Sequence, residues 1–305
     1  MCHLSVVVPV FMAEGCLIEL CCRLTSSLGL ITNNYEVILV EDGGQDNSWI
    51  TITKLAAQDS RIKGLKLSRN FGQHHAITAG LDASDGDWVV VMDCDLQDQP
   101  EEIIKLYQKV QHGYQVVMAI RGERQENEFK VMCGKMFHRL LTYLTNTEWD
   151  HQIGTFRIMS RKVVVSLGKM REHDRFFNGM VNWLGYPTSK VTVQHATRFE
   201  GESSYNLFKL IKLAAGALIS FSEKPLKLSI LLGALISAGG FIYGILILCR
   251  KIMLGIPVEG WTSIIVSLYF LSGLILLNLG IVGLYIGRIF VETKNRPIYV
   301  IDERV

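Results

Sequence analysis

A chain of 305 residues has room for one large domain and an appendage. Its formal net charge of +2 and pI near 8.1 give no strong field of the kind that gathers nucleic acid, so no nucleic-acid partner is expected. Hydrophobic residues make up 49% of the sequence and mean hydropathy is +0.25, high for a water-soluble protein; the excess sits in the last third.

The N-terminal stretch MCHLSVVVPVF has an apolar run but no basic lead-in and no small-residue cleavage site, so it reads as a strand rather than a signal peptide. Strand-like runs then recur at 4–11, 35–42, 62–68, 87–93 and 114–120, with helical stretches between them at 14–29, 47–58, 73–84 and 100–112. Pro100, followed by Glu101 and Glu102, is a good helix start. Strands separated by helices of this length predict an α/β domain with a mainly parallel sheet covered on both faces. Further on, residues 228–249 and 261–287 carry no charge, and each run exceeds the ~20 residues that span a hydrocarbon core. The short link 250–260 makes the pair a transmembrane hairpin. Eight Lys and Arg residues between 209 and 304 flank the hairpin, against Arg250 and Lys251 in its loop, which predicts that both flanks face the cytoplasm. Residues 206–228, apolar with spaced lysines, suit an interfacial helix against anionic lipid or an ordinary amphipathic core helix. The seven cysteines, at 2, 16, 21, 22, 94, 133 and 249, lack paired metal-ligand spacing and read as reduced thiols.

The chemistry gathers at strand ends. WVVVMDCDLQDQPEE (88–102) closes an apolar strand with Asp93, Asp95 and Asp98, and with Gln97 among them, at the sheet edge where open α/β folds keep ligands. Asp93, Asp95 and the Gln97 carbonyl oxygen can offer hard oxygen ligands to a divalent cation and leave positions open for phosphate oxygens. The plainer reading has Asp98 capping the helix that opens at Pro100 while the other acids are solvated. VEDGGQDNS (40–48) is a second acidic strand end, where Asp42 can accept bonds from a nucleobase or ribose and Gly43 and Gly44 let backbone approach a ligand. A polar turn in which Asp46 or Asn47 starts the next helix accounts for the same residues. His74 and His75 are adjacent on a helix, so their side chains diverge by about 100°. They read as polar helix-start residues near the nucleotide rather than as a metal pair.

VVVPVF, VEDGGQD, LSRNFGQHHAITAGLD, MDCDLQDQPEEI, GTFRIMSRKVV, RFFNGMVNWLGY and RFEGESSYNLFKL occur in the order found in family-two glycosyltransferases of GT-A (Rossmann-like) fold. The chain resembles their polyprenyl-phosphate branch, the dolichol-phosphate mannose synthases and bacterial undecaprenyl-phosphate glycosyltransferases, and the two-span tail resembles the bactoprenol glucosyltransferase subgroup. It departs from the family pattern in reading FMAEG, EDGG and DCD for YNEE, DDGS and DAD, and Cys133 for Ser. The resemblance implies a cytoplasmic catalytic domain over 1–200, a juxtamembrane helix region over 201–227, spans at 228–249 and 261–287 joined by a short extracytoplasmic loop at 250–260, and a cytoplasmic tail over 288–305. It implies inverting transfer of a hexose from a nucleotide-diphosphate sugar, with UDP favoured, to a polyprenyl phosphate in the bacterial inner membrane, by a metal-dependent enzyme using Mg²⁺ or Mn²⁺. A homo-oligomer, possibly a tetramer, goes with the subgroup, and RPIYVIDE (296–303) looks like a strand able to pair across subunits.

Carried over by position, Asp93, Asp95 and Gln97 match the metal-binding set, Asp42 a nucleotide-binding acid, and Pro9 and Glu14 the flank of the nucleoside pocket. Arg121 opens a loop resembling the acceptor loop; alternatively it pairs with the acids of a solvated loop. Arg139 and Arg198 match positions that resemble acceptor-phosphate contacts, a task suited to the guanidinium fork. Arg139 also reads as a snorkelling residue on an amphipathic helix. Asp174 lies where hydroxyl-directed relatives keep a catalytic base. A phosphate acceptor is already ionised, so Asp174 here orients Arg175 or a donor hydroxyl. Two rival readings stand beside this one. A processive polysaccharide synthase would carry a QxxRW segment and more spans, and a non-catalytic nucleotide-sugar sensor or assembly subunit would show a decayed site.

Overall fold

The computed structural model describes residues 3–121, 153–173, 175, 177–194, 224–254 and 260–305. The chain divides into an α/β unit, which takes in residues 296–305, and a second unit dominated by two long helices.

The α/β unit is built on one eight-stranded sheet. Its strands are β1 (Leu4–Val10), β2 (Tyr35–Glu41), β3 (Ile62–Leu67), β4 (Trp88–Val91), β5 (Val116–Arg121), β6 (Ile153–Ser160), β7 (Thr188–Val193) and β8 (Ile301–Arg304). They lie in the order β7-β5-β6-β4-β1-β2-β3-β8. β1 pairs in parallel with β2 and β4, β2 with β3, and β5 with β7; β6 runs antiparallel between β4 and β5, and β8 antiparallel on β3. The sheet is therefore mixed but mainly parallel, as the strand–helix alternation predicts. Every residue of β1 and β2 is buried, because helices cover both faces and leave neither face for water.

One face carries α1 (Glu14–Gly29), α2 (Ser48–Gln58) and α4 (Ile103–Val110), the last led by a 3₁₀ turn at Pro100–Glu102. Leu17, Leu20, Leu24, Ile52 and Leu106 pack there against Val6, Val8 and Leu39. The other face carries α3 (Gln73–Ala83), α5 (Arg161–Gly168) and α6 (Phe177–Trp183), with Ile77, Val163 and Phe177 against Val7, Ile38 and Val91. Helix α3 lies close on β1 because Gly80 faces it, where a Cβ would stand 2.3 Å from Val7 Cγ1.

Strand β8 is the tail segment from which pairing across subunits is expected. It forms, and it pairs with β3 of its own chain, Leu65 opposite Arg304 and Lys66 opposite Glu303. Val305 and Gly64 exchange both backbone hydrogen bonds, at 2.9 and 3.0 Å.

The second unit contains α7 (Lys224–Leu254) and α8 (Trp261–Thr293), of 31 and 33 residues, each running past the spans expected from the uncharged stretches. At 1.5 Å per residue they measure about 46 and 50 Å, more than the ~30 Å hydrocarbon core. The windows Leu226–Tyr243 and Ser267–Thr293 have mean hydropathies of 1.7 and 2.1, and none of either is buried in protein. Helices apolar all round with no protein cover require an apolar surrounding. They mark a membrane protein.

Candidate active site

Strand order fixes where a ligand can sit. The chain runs β1 to β2 to β3 on one side of β1 and then crosses to β4 on the other, so the C-terminal ends of β1 and β4 border a switch-point crevice. Pro9, buried and paired with Val40, and Val10, paired with Glu41, end β1 at this edge. Asp42 follows β2, its N–H donating to the Val10 carbonyl at 2.9 Å. Asp93 and Asp95 follow β4.

The turn after β4 is tightly shaped. Leu96, buried, takes φ of +58°, a conformation that costs a branched residue about 1 kcal/mol or more and so needs its surroundings to hold it. The turn leaves Asp93, Asp95 and Gln97 half-buried, and Asp95 Oδ1 accepts the Gln97 N–H at 3.1 Å. Asp93 Oδ1 accepts from Gln73 Nε2 at 2.7 Å, which brings the first residue of α3 to the acids. Two carboxylates and an amide oxygen in one turn are the hard, incomplete donor set that Mg²⁺ or Mn²⁺ accepts, and fewer oxygens than either ion's usual coordination leaves room for ligand oxygens. No cluster of three His, Cys, Asp or Glu able to hold a metal ion occurs among the described residues. Cys94 does not compete: burial, with the charges of Asp93 and Asp95, pushes its thiol up to about 12, so it stays protonated. Asp98 is buried and Gln99 holds the cap position before Pro100, with no side-chain cap bond.

The second acidic end is organised differently. Asp42, buried, accepts the N–H of Phe71 on Oδ1 at 2.8 Å and that of Gly72 on Oδ2 at 2.9 Å. Its carboxylate braces the entry to α3 and has only its remaining lone pairs for a ligand. Burial raises its pKa, against the lowering effect of those two amides. Glu41 Oε1 accepts from the Gly44 amide. Gly43 at φ +65° is obligatory, since a Cβ would stand 2.3 Å from Arg69 C and Asn70 N. Glu14, exposed, accepts the Asn47 N–H at 3.3 Å, and its own N–H donates to Asp46 Oδ2 at 3.2 Å. The stretch after β1 and the turn after β2 border an open cleft of about 530 Å³ lined by Met12, Glu14, Gly15, Ile18, Asp46 and Thr51.

Two residues beside the acids escape motif reading. Arg157, in the middle of β6 opposite Val91, is fully buried. It donates to the carbonyls of Thr155 and Gly154 at 3.0 and 2.6 Å and to Asn178 Oδ1, and lies 4.9 Å from the Phe177 ring centroid. Burial lowers its pKa to about 10, with the charge of Asp93 acting the other way, so it stays a cation at neutral pH. A lone charge in the apolar run TFRIM was the available signal. The other is Gln73, whose signal was only its place at a helix start beside a strand-end acid. His74 turns inward and stacks on Phe177, its pKa lowered to about 4 first by burial and then by Arg157. His75 Nε2 lies 3.2 Å from the His173 carbonyl. The two rings diverge as expected, but His74 belongs to the interior.

Arg121 ends β5, its backbone paired with Val193. Its side chain, together with Arg139, Asp174, Arg198 and residues 206–223 of the interfacial helix expected over 206–228, lies outside the described residues, while 224–228 form the start of α7.

Three-layer α/β packing around a mainly parallel sheet with an acidic switch-point edge is a GT-A-like architecture, and sequence comparison gives the family. Residues 5–168 match glycosyl transferase family 2, and the chain belongs to that family. It is 39% identical over 300 residues to a Bacillus subtilis glycosyltransferase, YkcC, covering 98% of this chain and 93% of that one. It is 35% identical to the SfII prophage-derived bactoprenol glucosyl transferase of Shigella flexneri, covering 98% and 97%. It is 33% identical to the undecaprenyl-phosphate 4-deoxy-4-formamido-L-arabinose transferase of Aeromonas hydrophila, covering 99% and 93%. Among solved structures, glucosyl-3-phosphoglycerate synthase of Mycobacterium tuberculosis, crystallised with Mn²⁺, UDP and phosphoglyceric acid, aligns at TM-score 0.52 and 16% identity over 72% of this chain and 76% of that one. That likeness supports the GT-A-like fold of the α/β unit.

Proposed function

We propose that this glycosyltransferase moves a hexose from a nucleotide-diphosphate sugar, with UDP as the favoured carrier, onto a polyprenyl phosphate, inverting the anomeric carbon. The observation that carries the reading is the Asp93–Asp95–Gln97 turn at the switch point, in a chain that also holds two uncovered apolar helices of membrane length. Relatives named for bactoprenol and undecaprenyl phosphate over almost the whole chain support the acceptor.

In this reading Asp93, Asp95 and Gln97 hold the divalent cation, which when bound takes up charge developing on the leaving diphosphate. The cleft beside Glu14 receives the nucleoside, and Asp42 and Pro9 are assigned to the same nucleotide site. An acceptor phosphate oxygen forms the new bond to the anomeric carbon from the face opposite the diphosphate, and the bond to the β-phosphate oxygen breaks with its electron pair leaving on the diphosphate. The nucleophile is already an anion, so no side chain has to remove a proton. The protein's work is alignment and charge. Arg121, Arg139 and Arg198 are assigned to the acceptor phosphate, and Asp174 to orienting Arg175 or a donor hydroxyl.

The catalytic unit is assigned to the cytoplasmic side of a bacterial inner membrane, as a two-span protein with domain limits as expected from the sequence. The basic flanks support this. So does strand β8: it follows both apolar helices yet completes the sheet begun by β1, so an even number of crossings must separate them. A homo-oligomer belongs to the same reading. Incubation of the membrane-embedded protein with a radiolabelled UDP-hexose panel and undecaprenyl phosphate, with Mg²⁺ or Mn²⁺, tests it. A labelled lipid of mass corresponding to one added hexose is expected; no labelled lipid with any donor or cation would sink the proposal.

A further inference from the structure

We infer that the segment following the membrane helices is a positioning element of the donor site, acting through Tyr299, Asp82 and Arg171. This rests on the assignment of Asp93 and Asp42 to the donor and its cation.

Tyr299 is anchored just before β8, where the Ser68 N–H donates to the Val300 carbonyl at 2.9 Å. Its hydroxyl donates to Asp82 Oδ2 at 2.7 Å, near the C-terminal end of α3. The same carboxylate takes a two-pronged bond from Arg171, Nη1 to Oδ2 at 2.6 Å and Nη2 to Oδ1 at 3.1 Å. Arg171 opens the stretch that leads to α6, and that stretch runs back along α3. His173 meets His75 through its carbonyl, Arg175 closes on the Met170 carbonyl at 2.6 Å, and Phe177 stacks on His74. From Asp82 to His75 is about two helical turns, roughly 10 Å.

The far end of this brace is the N-terminal turn of α3, and that turn touches both acidic strand ends. Gln73 bonds Asp93, and the Phe71 and Gly72 amides hold both oxygens of Asp42. Tail, connecting stretch and α3 are thus tied into a frame that ends on the residues assigned to the donor site.

The Arg171–Asp82 pair is partly exposed, with side-chain accessibilities of 49% and 21%, so its own contribution to stability is small. Its effect is geometric. Tyr299 removes one direction of freedom from the Asp82 carboxylate and thereby fixes the fork of Arg171.

The test uses the full-length protein in detergent or nanodiscs, with Tyr299→Phe, Arg171→Gln and the double variant. Two quantities are measured: UDP affinity in the presence of Mn²⁺, without acceptor, and hydrogen exchange over residues 171–177 and 71–77. Tyr299→Phe keeps the ring and its packing and removes only the hydroxyl. Expected are a severalfold weaker UDP–Mn²⁺ affinity, faster exchange in both segments at unchanged melting temperature, and a double variant no worse than Arg171→Gln alone, because both act through Asp82. Unchanged exchange in both segments, or additive losses in the double variant, overturns the inference. A wild type that binds no UDP overturns the donor-site assignment instead, and the exchange data still decide whether the frame exists.

Discussion

Asp93 and Asp95 leave β4 in a turn whose next residue, Leu96, takes a conformation a branched side chain avoids, and Asp95 also accepts the Gln97 N–H across that turn. Asp95→Asn removes a charge and keeps the shape. It is expected to reduce transfer by at least a hundredfold while the melting temperature stays within about 2 °C, checked by the radiolabelled-lipid assay beside a thermal melt. Arg157 makes the opposite case. Its removal strands two carbonyls and Asn178 Oδ1 in the interior, so Arg157→Met is expected to destabilise the α/β unit by about 3 kcal/mol, read by chemical denaturation. The strand-end acids were legible in the sequence because an apolar run that stops at Asp-x-Asp announces itself locally. Arg157, Gln73 and the inward turn of His74 were not, because each role depends on a neighbour from a distant part of the chain: Phe177 lies 103 positions after His74.

Strands β1 to β5 could be read within a residue or two, β1 and β2 because they are largely apolar runs buried along their whole length, and β3 although the lysines of IKGLKL leave it partly exposed. Strand β6 interrupts its apolar run with a buried cation, and β7 alternates exposed and half-covered polar residues at an outer position of the sheet. Neither produces the signal of a core strand, and the family-like segment GTFRIMS was recognisable as a motif rather than as a strand. At the edge of the sheet opposite the crevice, a polar knot joins elements the pattern could not connect. Glu36 of β2 accepts from Ser5 of β1 at 2.5 Å, Lys63 of β3 at 2.6 Å and the Asp85 N–H at 2.8 Å. Burial pushes its pKa up, but the Asp85 N–H, Lys63 and Ser5 together outweigh this and the net shift is downward. A carboxyl whose pKa is lower folded than unfolded stabilises fully above its unfolded value, about 4.3, and loses that contribution as pH falls through the folded one. Glu36→Gln is therefore expected to cost about 1–3 kcal/mol at pH 7 and to flatten the decline of stability below pH 4.5, measured by urea titration across pH.

In the assembled chain the two ends of the α/β unit are held in one sheet, while the two long, predominantly apolar helices lie between them in sequence. Gly260→Cys in a Cys249→Ser background is expected to react with an impermeant maleimide added outside spheroplasts, whereas a cysteine replacing Val305 should react only after the membrane is opened. Reaction of both from one side would refute the two-span assignment. The membrane hairpin was legible because its signal is composition alone. The docking of the tail was not, since β8 is four residues long, three of them exposed, and is identified only by Lys66 and Trp49 meeting Glu303 and by its ladder with β3. That pairing joins positions more than 230 residues apart and has a consequence for synthesis. While the ribosome is still making α7 and α8, β3 is a bare edge with unmet amides and carbonyls, open to any passing strand. The enzyme can close its sheet only after both apolar helices have been made, so a defect in their insertion is expected to appear first as aggregation of the nascent catalytic unit.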